Sequence, residues 1–240
     1  MDETQLKSQE SVHFTVVQDN ALINASYTLT LNEKRLLLLA ISKVNPLSKA
    51  WLTGGEVVIH ASEWVDTFGG DIKNAYPILK ESMEQLYNRS IVLWGDSENG
   101  EQIRWLSRKK YLLREGQITI SLGRECLEYI SGMVDYFTSY KLLAVSGFRS
   151  VHSIRIYEIA RQFVATGWRH IEIDDLRRML QLENHYPIWQ DFKRRVIDSA
   201  CKEISKKSDL KLTYDIVKKG RKVVAIKLNV EQQQHQLSFY

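Results

Sequence analysis

The chain has 240 residues, of which 44% are apolar and 10% aromatic. That is enough to pack one large or two smaller domains, and it excludes a disordered chain. The net charge of +4 hides a division: residues 1–140 carry 14 Lys and Arg against 18 Asp and Glu, whereas residues 141–240 carry 19 against 11. Opposite signs predict a polyanion-binding second half joined to a half with another task. The longest aliphatic run, Leu36–Ile41, is too short to cross a bilayer, and the polar N-terminus has no leader pattern. The two cysteines, Cys126 and Cys201, lie far apart in apolar helical patterns, as expected for buried free thiols in a cytoplasmic protein that contacts no membrane.

In chain order, His13–Gln18 predicts a short strand and Asn20–Ser26 a short helix. Asn32 is the expected cap of a strong helix, Glu33–Val44, with Pro46 after its end. Glu56–Ala61 alternates as a strand. Ser62 is the expected cap of a helix that carries Trp64 and Phe68 at i, i+4 and stops at Gly69-Gly70. A longer helix is expected over Asn74–Asn88, with Ile78, Leu79, Met83 and Leu86 as its apolar stripe. Strands follow at Ser90–Trp94, Ile103–Leu113 and Gln117–Leu122, with turns at Gly95–Gly100 and Glu115-Gly116. Arg124–Ser131 reads as helical and Ser131–Gly147 as the connection between domains.

The second half repeats this order: a helix over Ser150–Ala165, a strand at His170–Ile173, and a short helix capped by Asp174. That helix carries Leu176 and Leu180 where Trp64 and Phe68 stood. A long basic helix, Pro187–Lys207, and two strands, Leu210–Val217 and Val223–Val230, complete it. Tyr76-Pro77-Ile78 and Tyr186-Pro187-Ile188 mark each third helix, with proline expected in the first turn. The pattern predicts an α+β fold of two tandem winged-helix domains related by an internal pseudo-repeat, residues 1–140 and 141–240.

A wheel of the long basic helix places Trp189, Phe192, Val196, Ala200 and Ile204 on one side. Asp191, Arg194, Arg195, Asp198, Lys202 and Ser205 fall opposite, with Ser199 and Lys206 at the edge and Lys193 at the buried border. Such a face is often merely solvated. Here it runs into the turn Lys218-Lys219-Gly220-Arg221-Lys222, where Gly220 supplies the positive φ a hairpin tip needs and four cations surround it. Arginine suits the guanine edge in the major groove, while lysine holds phosphate without reading sequence. Arg194, Arg195 and Lys202 are therefore the expected groove contacts and Lys218, Lys219, Arg221 and Lys222 the backbone contacts, with Lys193, Asp198, Ser199 and Lys206 as further DNA-binding candidates on the same helix. The corresponding first-half helix is nearly neutral; Arg104 and Arg108-Lys109-Lys110 on adjoining strands are the candidates there for an auxiliary DNA contact.

No residues point to catalysis. There is no G-x-x-x-x-G-K-[ST] phosphate loop, no His-x-His pair and no His-Glu-x-x-His among the six histidines, so no metal and no cofactor is expected.

Three segments carry a resemblance. They are Asp19-Asn20-Ala21-Leu22 with Leu31–Leu37; Ile154-Arg155-Ile156-Tyr157-Glu158; and Asp191–Arg195 with Lys202-Glu203-Ile204 and Lys218–Arg221. In these the chain resembles the iteron-binding plasmid replication initiators, the Rep protein family. The resemblance implies two winged-helix domains and binding of double-stranded DNA at origin repeats. It also implies opening of an A·T-rich region and recruitment of a host initiator and replicative helicase. Monomers would bind iterons, while a homodimer paired through the first domain would repress its own gene. The residues alone leave a winged-helix transcription repressor without a replication role as the alternative. A nicking enzyme is disfavoured by the missing His-x-His pair.

Overall fold

The computed structural model describes residues 14–44, 56–95, 100–130 and 136–234. The readings at His13, Pro46, the turn residues 96–99, the first part of the 131–147 connection and the tail beyond 234 lie outside these residues.

Strand β1 (Thr15–Asp19) leads into α1 (Asn20–Asn24) and α2 (Leu31–Lys43). The cap of α2 is Thr30, not Asn32. Its hydroxyl accepts from the Glu33 N–H at 3.2 Å while the Glu33 carboxylate accepts from the Thr30 N–H, a reciprocal box that starts the helix two residues earlier than expected. Leu36 to Ile41 are all buried, so α2 is the central helix of the first unit.

Around it fold β2 (Val57–His60), α3 (Ala61–Phe68), α4 (Ile72–Tyr87), the hairpin β3 (Ser90–Gly95) and β4 (Gly100–Arg104), β5 (Leu106–Leu112), β6 (Gln117–Leu122) and α5 (Arg124–Glu128). The caps of α3 and α4 are His60 and Asp71, so both helices begin before the expected residues. The long strand read over 103–113 is two strands in two sheets, broken at Trp105. That indole is fully buried, edge-on to Tyr27 at 4.9 Å, and the Trp105 carbonyl accepts from the Gly123 N–H at 2.9 Å. Gly123 is required there, since a Cβ would sit 2.4 Å from the Arg104 carbonyl oxygen.

Strand β7 (Phe137–Lys141) pairs antiparallel with β1, Val16 opposite Tyr140. The stretch read as a connection therefore contains a strand, followed by the short α6 (Leu143–Ser146). The second unit comprises α7 (Val151–Arg161), β8 (Trp168–Glu172), α8 (Ile173–Met179), a long helix and the hairpin β9 (Leu210–Lys219) and β10 (Lys222–Gln232). Glu172, not Asp174, occupies the cap position of α8.

The pseudo-repeat is visible in topology. The second sheet runs β8-β10-β9 and the first runs β2-β6-β5, so in each sheet the strand that comes last in the chain lies between the other two. The β3–β4 hairpin is inserted in the first unit between its third helix and its wing strands. The Tyr-Pro-Ile pair is not part of the correspondence: Pro77 lies inside α4, whereas Pro187 precedes its helix, whose cap is Ile188. Neither proline is in a first turn.

A buried polar cluster joins the units. The Lys34 Nζ lies 2.9 Å from the Glu158 carboxylate, both side chains fully buried, with Arg155 at 3.7 Å. Gln18 and the Tyr140 hydroxyl donate to the same carboxylate at 2.9 and 2.7 Å, and Lys34 donates to the Tyr27 hydroxyl at 3.0 Å. Next to Glu158 on α7, Tyr157 donates to Asp209 at 2.8 Å.

Candidate nucleic-acid interface

The long helix of the second unit begins as α9 (Trp189–Phe192), passes through a π-helical stretch (Lys193–Asp198) and continues as α10 (Ser199–Lys207). The π stretch widens the turn, so a wheel at constant pitch does not hold across it. Phe192, Val196, Ala200 and Ile204 are buried as read; Ile197 and Cys201, absent from the wheel's packed side, are buried too. Burial pushes the Cys201 thiol up to about 12, so it stays protonated.

Arg194 and Arg195 project outward from the π stretch, their side chains 69% and 58% exposed, and both face Asp191, at 3.0 and 3.8 Å. Exposed pairs of this kind hold weakly, so these arginines can exchange Asp191 for another acceptor. Ser199, Lys202 and Lys206 lie exposed along α10.

Lys193 and Asp198 behave differently from the wheel. Lys193 donates to Asp198 at 2.8 Å and lies 5.9 Å from the centre of the Tyr214 ring, and the Tyr214 hydroxyl donates to Asp198 at 2.5 Å. Partial burial pushes the Asp198 carboxyl up, but the bonds from Lys193 and Tyr214 outweigh it and hold the group below the usual carboxylate range. The three side chains tie the helix to strand β9. Sequence reasoning missed Tyr214, although it follows Leu210 and Leu212 at period two and so belongs to the helix-facing side of the strand.

Strands β9 and β10 pair from Leu210–Gln232 to Lys219–Lys222, leaving Gly220 and Arg221 as the tip, with Gly220 at φ 63°. Lys218, Lys219, Arg221 and Lys222 are all exposed, and among the described residues none has an ion-pair partner. The register shifts between Val223 and Ala225, a bulge that bends the wing below its tip.

In the first unit the candidate cations are not brought together. Arg104 is exposed on β4, in the sheet with β3, while Arg108, Lys109 and Lys110 are on β5 in the other sheet. Arg108 contacts Glu56 at 2.5 Å. Lys109 turns onto α4, where it meets Glu84 and stands 4.7 Å from the centre of the Tyr87 ring. Lys110 is exposed on the opposite side.

Among the described residues no group of three or more His, Cys, Asp or Glu could hold a metal ion, and no helix is long and apolar enough to cross a membrane.

A central helix, a second helix, a third helix and a sheet of fixed strand order, present twice, define a protein of two winged-helix units. Family models agree: "Initiator Replication protein, WH1" matches residues 15–161 and "Initiator Rep protein, WH2" matches residues 172–230. The chain belongs to the initiator replication (Rep) protein family. It is 25% identical over 224 residues to an uncharacterized 27.6 kDa protein of Escherichia coli, covering 88% of this chain and 93% of that one. It is also 25% identical over 223 residues to an Escherichia coli replication initiation protein, covering 90% of this chain and 69% of the relative. A crystal structure of Pi initiator protein in complex with iteron DNA shares the fold, with a TM-score of 0.77 at 22% identity over 93% of this chain and 99% of that one.

Proposed function

We propose that this protein is a non-enzymatic plasmid replication initiator that binds origin iterons in double-stranded DNA. The observation that carries the reading is the exposed cationic wing tip, without an ion pair among the described residues, adjoining a helix that exposes Arg194 and Arg195. Arg194, Arg195 and Lys202 read the major groove, with Ser199 and Lys206 beside them. Lys218, Lys219, Arg221 and Lys222 hold phosphates, and Lys193 and Asp198 fasten the helix to the wing. Of the auxiliary candidates Arg104, Arg108, Lys109 and Lys110, the exposed Arg104 and Lys110 add separate contacts from the first unit, while Arg108 and Lys109 are engaged by Glu56 and Glu84. A footprint on the DNA flanking its own gene tests this: protected direct repeats about two helical turns apart beside an A·T-rich tract support the initiator. Protection of a lone inverted repeat would instead favour a repressor with no replication role.

The division of labour follows the charge. The second unit, from about residue 141, supplies DNA recognition, and the first supplies self-association, so that the dimer meets an inverted repeat as autorepressor while the monomer meets iterons. Strand β6 lies between β2 and β5 and has no free edge of its own. The outer edge of β4, exposed at Gly100, Glu101, Gln102 and Arg104, supports pairing instead. Host initiator and helicase contacts complete the reading. Sedimentation of the full chain is expected to show a dimer that gives way to monomers on a single direct repeat; a dimer persisting there would remove the switch.

Base reading has its own expected result. Arg194→Ala or Arg195→Ala each costs roughly 1–3 kcal/mol on the cognate repeat and far less on random duplex. Equal loss on both duplexes, by fluorescence anisotropy, would assign the arginines to phosphates.

A further inference from the structure

The loop between α8 and α9 is the turn that aims the groove-reading helix, and it is held in an unusual way. Two of its residues, Gln181 and Tyr186, have φ of 50° and 51°, the non-glycine residues at positive φ among those described. A left-handed conformation at such side chains persists only where the surroundings impose it. The imposing group is Arg177, on α8, with 9% exposure. Its Nη1 donates to the carbonyls of Leu182 at 3.2 Å and His185 at 2.7 Å, and its Nη2 donates to the carbonyl of Tyr186 at 2.8 Å. The guanidinium lies 4.2 Å from the centre of the Phe192 ring. Among the described residues no carboxylate pairs with it.

An arginine needed only to fill space would be replaced by an apolar side chain without burying a charge. A planar fork satisfied by three loop carbonyls, with its face on an aromatic ring, instead fixes directions. Phe192 is two residues before Arg194, so the same side chain fixes both the path of the turn and the seating of the helix. The other side of the turn is fastened to the first unit. Ser26 donates to the Arg178 carbonyl at 2.8 Å, the Thr28 hydroxyl meets the Gln181 amide oxygen, and Arg155 joins the carbonyls of Ala25 and Met179 at 2.9 and 3.0 Å.

We propose that Arg177 is a positioning residue for sequence discrimination: without touching DNA, it sets the rotation of α9 and hence which base edges Arg194 and Arg195 reach, from a turn anchored on the first unit by Ser26 and Thr28. The inference rests on the DNA-binding reading above.

The test uses the full chain. Wild-type protein is first used to select a preferred duplex from a random pool. Arg177→Met and Arg177→Lys are then titrated on that duplex and a scrambled one across a salt series. Arg177→Met is expected to lower the selected-to-scrambled affinity ratio by about tenfold, the share of one bidentate base contact, with the scrambled affinity and salt slope unchanged. Arg177→Lys is expected to retain part of the discrimination. A ratio within about twofold of wild type, or equal losses on both duplexes, overturns the proposal. Should the Arg177 variants fail to fold, Ser26→Ala with Thr28→Val loosens the turn from its other side. A lowered ratio in that variant supports the proposal and an unchanged one overturns it. A wild-type protein that enriches no sequence overturns the DNA reading itself, a result separate from any behaviour of the variants.

Discussion

Replacing Lys218, Lys219, Arg221 and Lys222 together by alanine is expected to produce the largest loss of DNA binding available on this surface. Each phosphate neutralised on a duplex contributes about 0.9 to the slope of log affinity against log salt, through release of condensed counterions. Four cations that each hold a phosphate would therefore flatten the slope by up to about 3.6. The loss should be similar on cognate and random duplex, because phosphate contacts hold register without reading sequence. The fold should survive: all four side chains are exposed and without ion-pair partners among the described residues, and Gly220, which makes the turn, is untouched. Anisotropy titrations between low and physiological salt measure the slope. An unchanged slope would reduce the tip to a solvated turn and move the electrostatic contact elsewhere.

The second large effect is on stability. Lys34→Met removes one partner of the fully buried pair with Glu158 and leaves a carboxylate with only Arg155, at 3.7 Å, to balance it. Breaking a buried pair from one side typically costs about 3–5 kcal/mol, a large fraction of the stability of a domain. Urea melts of the variant measure it, and a loss below about 1 kcal/mol would show that water enters the cluster. The pH dependence has a definite sign. Burial pushes the Glu158 carboxyl up, but the charges of Lys34 and Arg155 and the bonds from Lys34 and Tyr140 outweigh it and hold the group below its ordinary value. A depressed folded-state pKa means that the ionised form stabilises the protein fully above the unfolded-state pKa, about 4.3, and that this is lost as pH falls through the folded value. Wild type should therefore fall towards Glu158→Gln in stability below about pH 4, and differ most near neutrality.

This cluster also bears on the two-unit reading. Its members come from β1, the link between α1 and α2, α2, β7 and α7, and the first family model runs to residue 161, through the whole of α7. Dividing the chain at 140/141 would cut β7 and expose charges that are paired only when both sides are present. Tests of the division of labour are therefore made on the full chain.

Much of the fold and of the candidate interface follows from local rules that a sequence displays. The period of apolar residues identified α4 and the second-unit helices, a run of helix formers bounded by a cap and a proline identified α2, a glycine pair marked the end of α3, and the clustered cations around Gly220 marked the wing. The order of elements then identified a winged helix occurring twice, because hydrophobic period and turn chemistry act over a few residues. Helix starts were less legible, since Thr30 and Glu33 form a reciprocal cap whose geometry outranks the intrinsic suitability of Asn32.

Only the tertiary structure decided which charges are spent inside the protein. Lys34, Arg155, Arg177 and Glu158 look like ordinary surface residues in an amphipathic pattern, yet each is buried because partners more than twenty residues distant, or a loop folded back, supply its hydrogen bonds. The same holds for Asp198, which a wheel assigns to the outer face, and Lys193, which it puts at the buried border; a tyrosine on the wing strand draws the two together. The break at Trp105 belongs here too: a continuous β pattern is divided because one indole finds a buried site against Tyr27. Local sequence determines period, caps and turns; the pairing of a charge depends on what the rest of the chain brings within about 3 Å of it, and that distance is fixed only by packing.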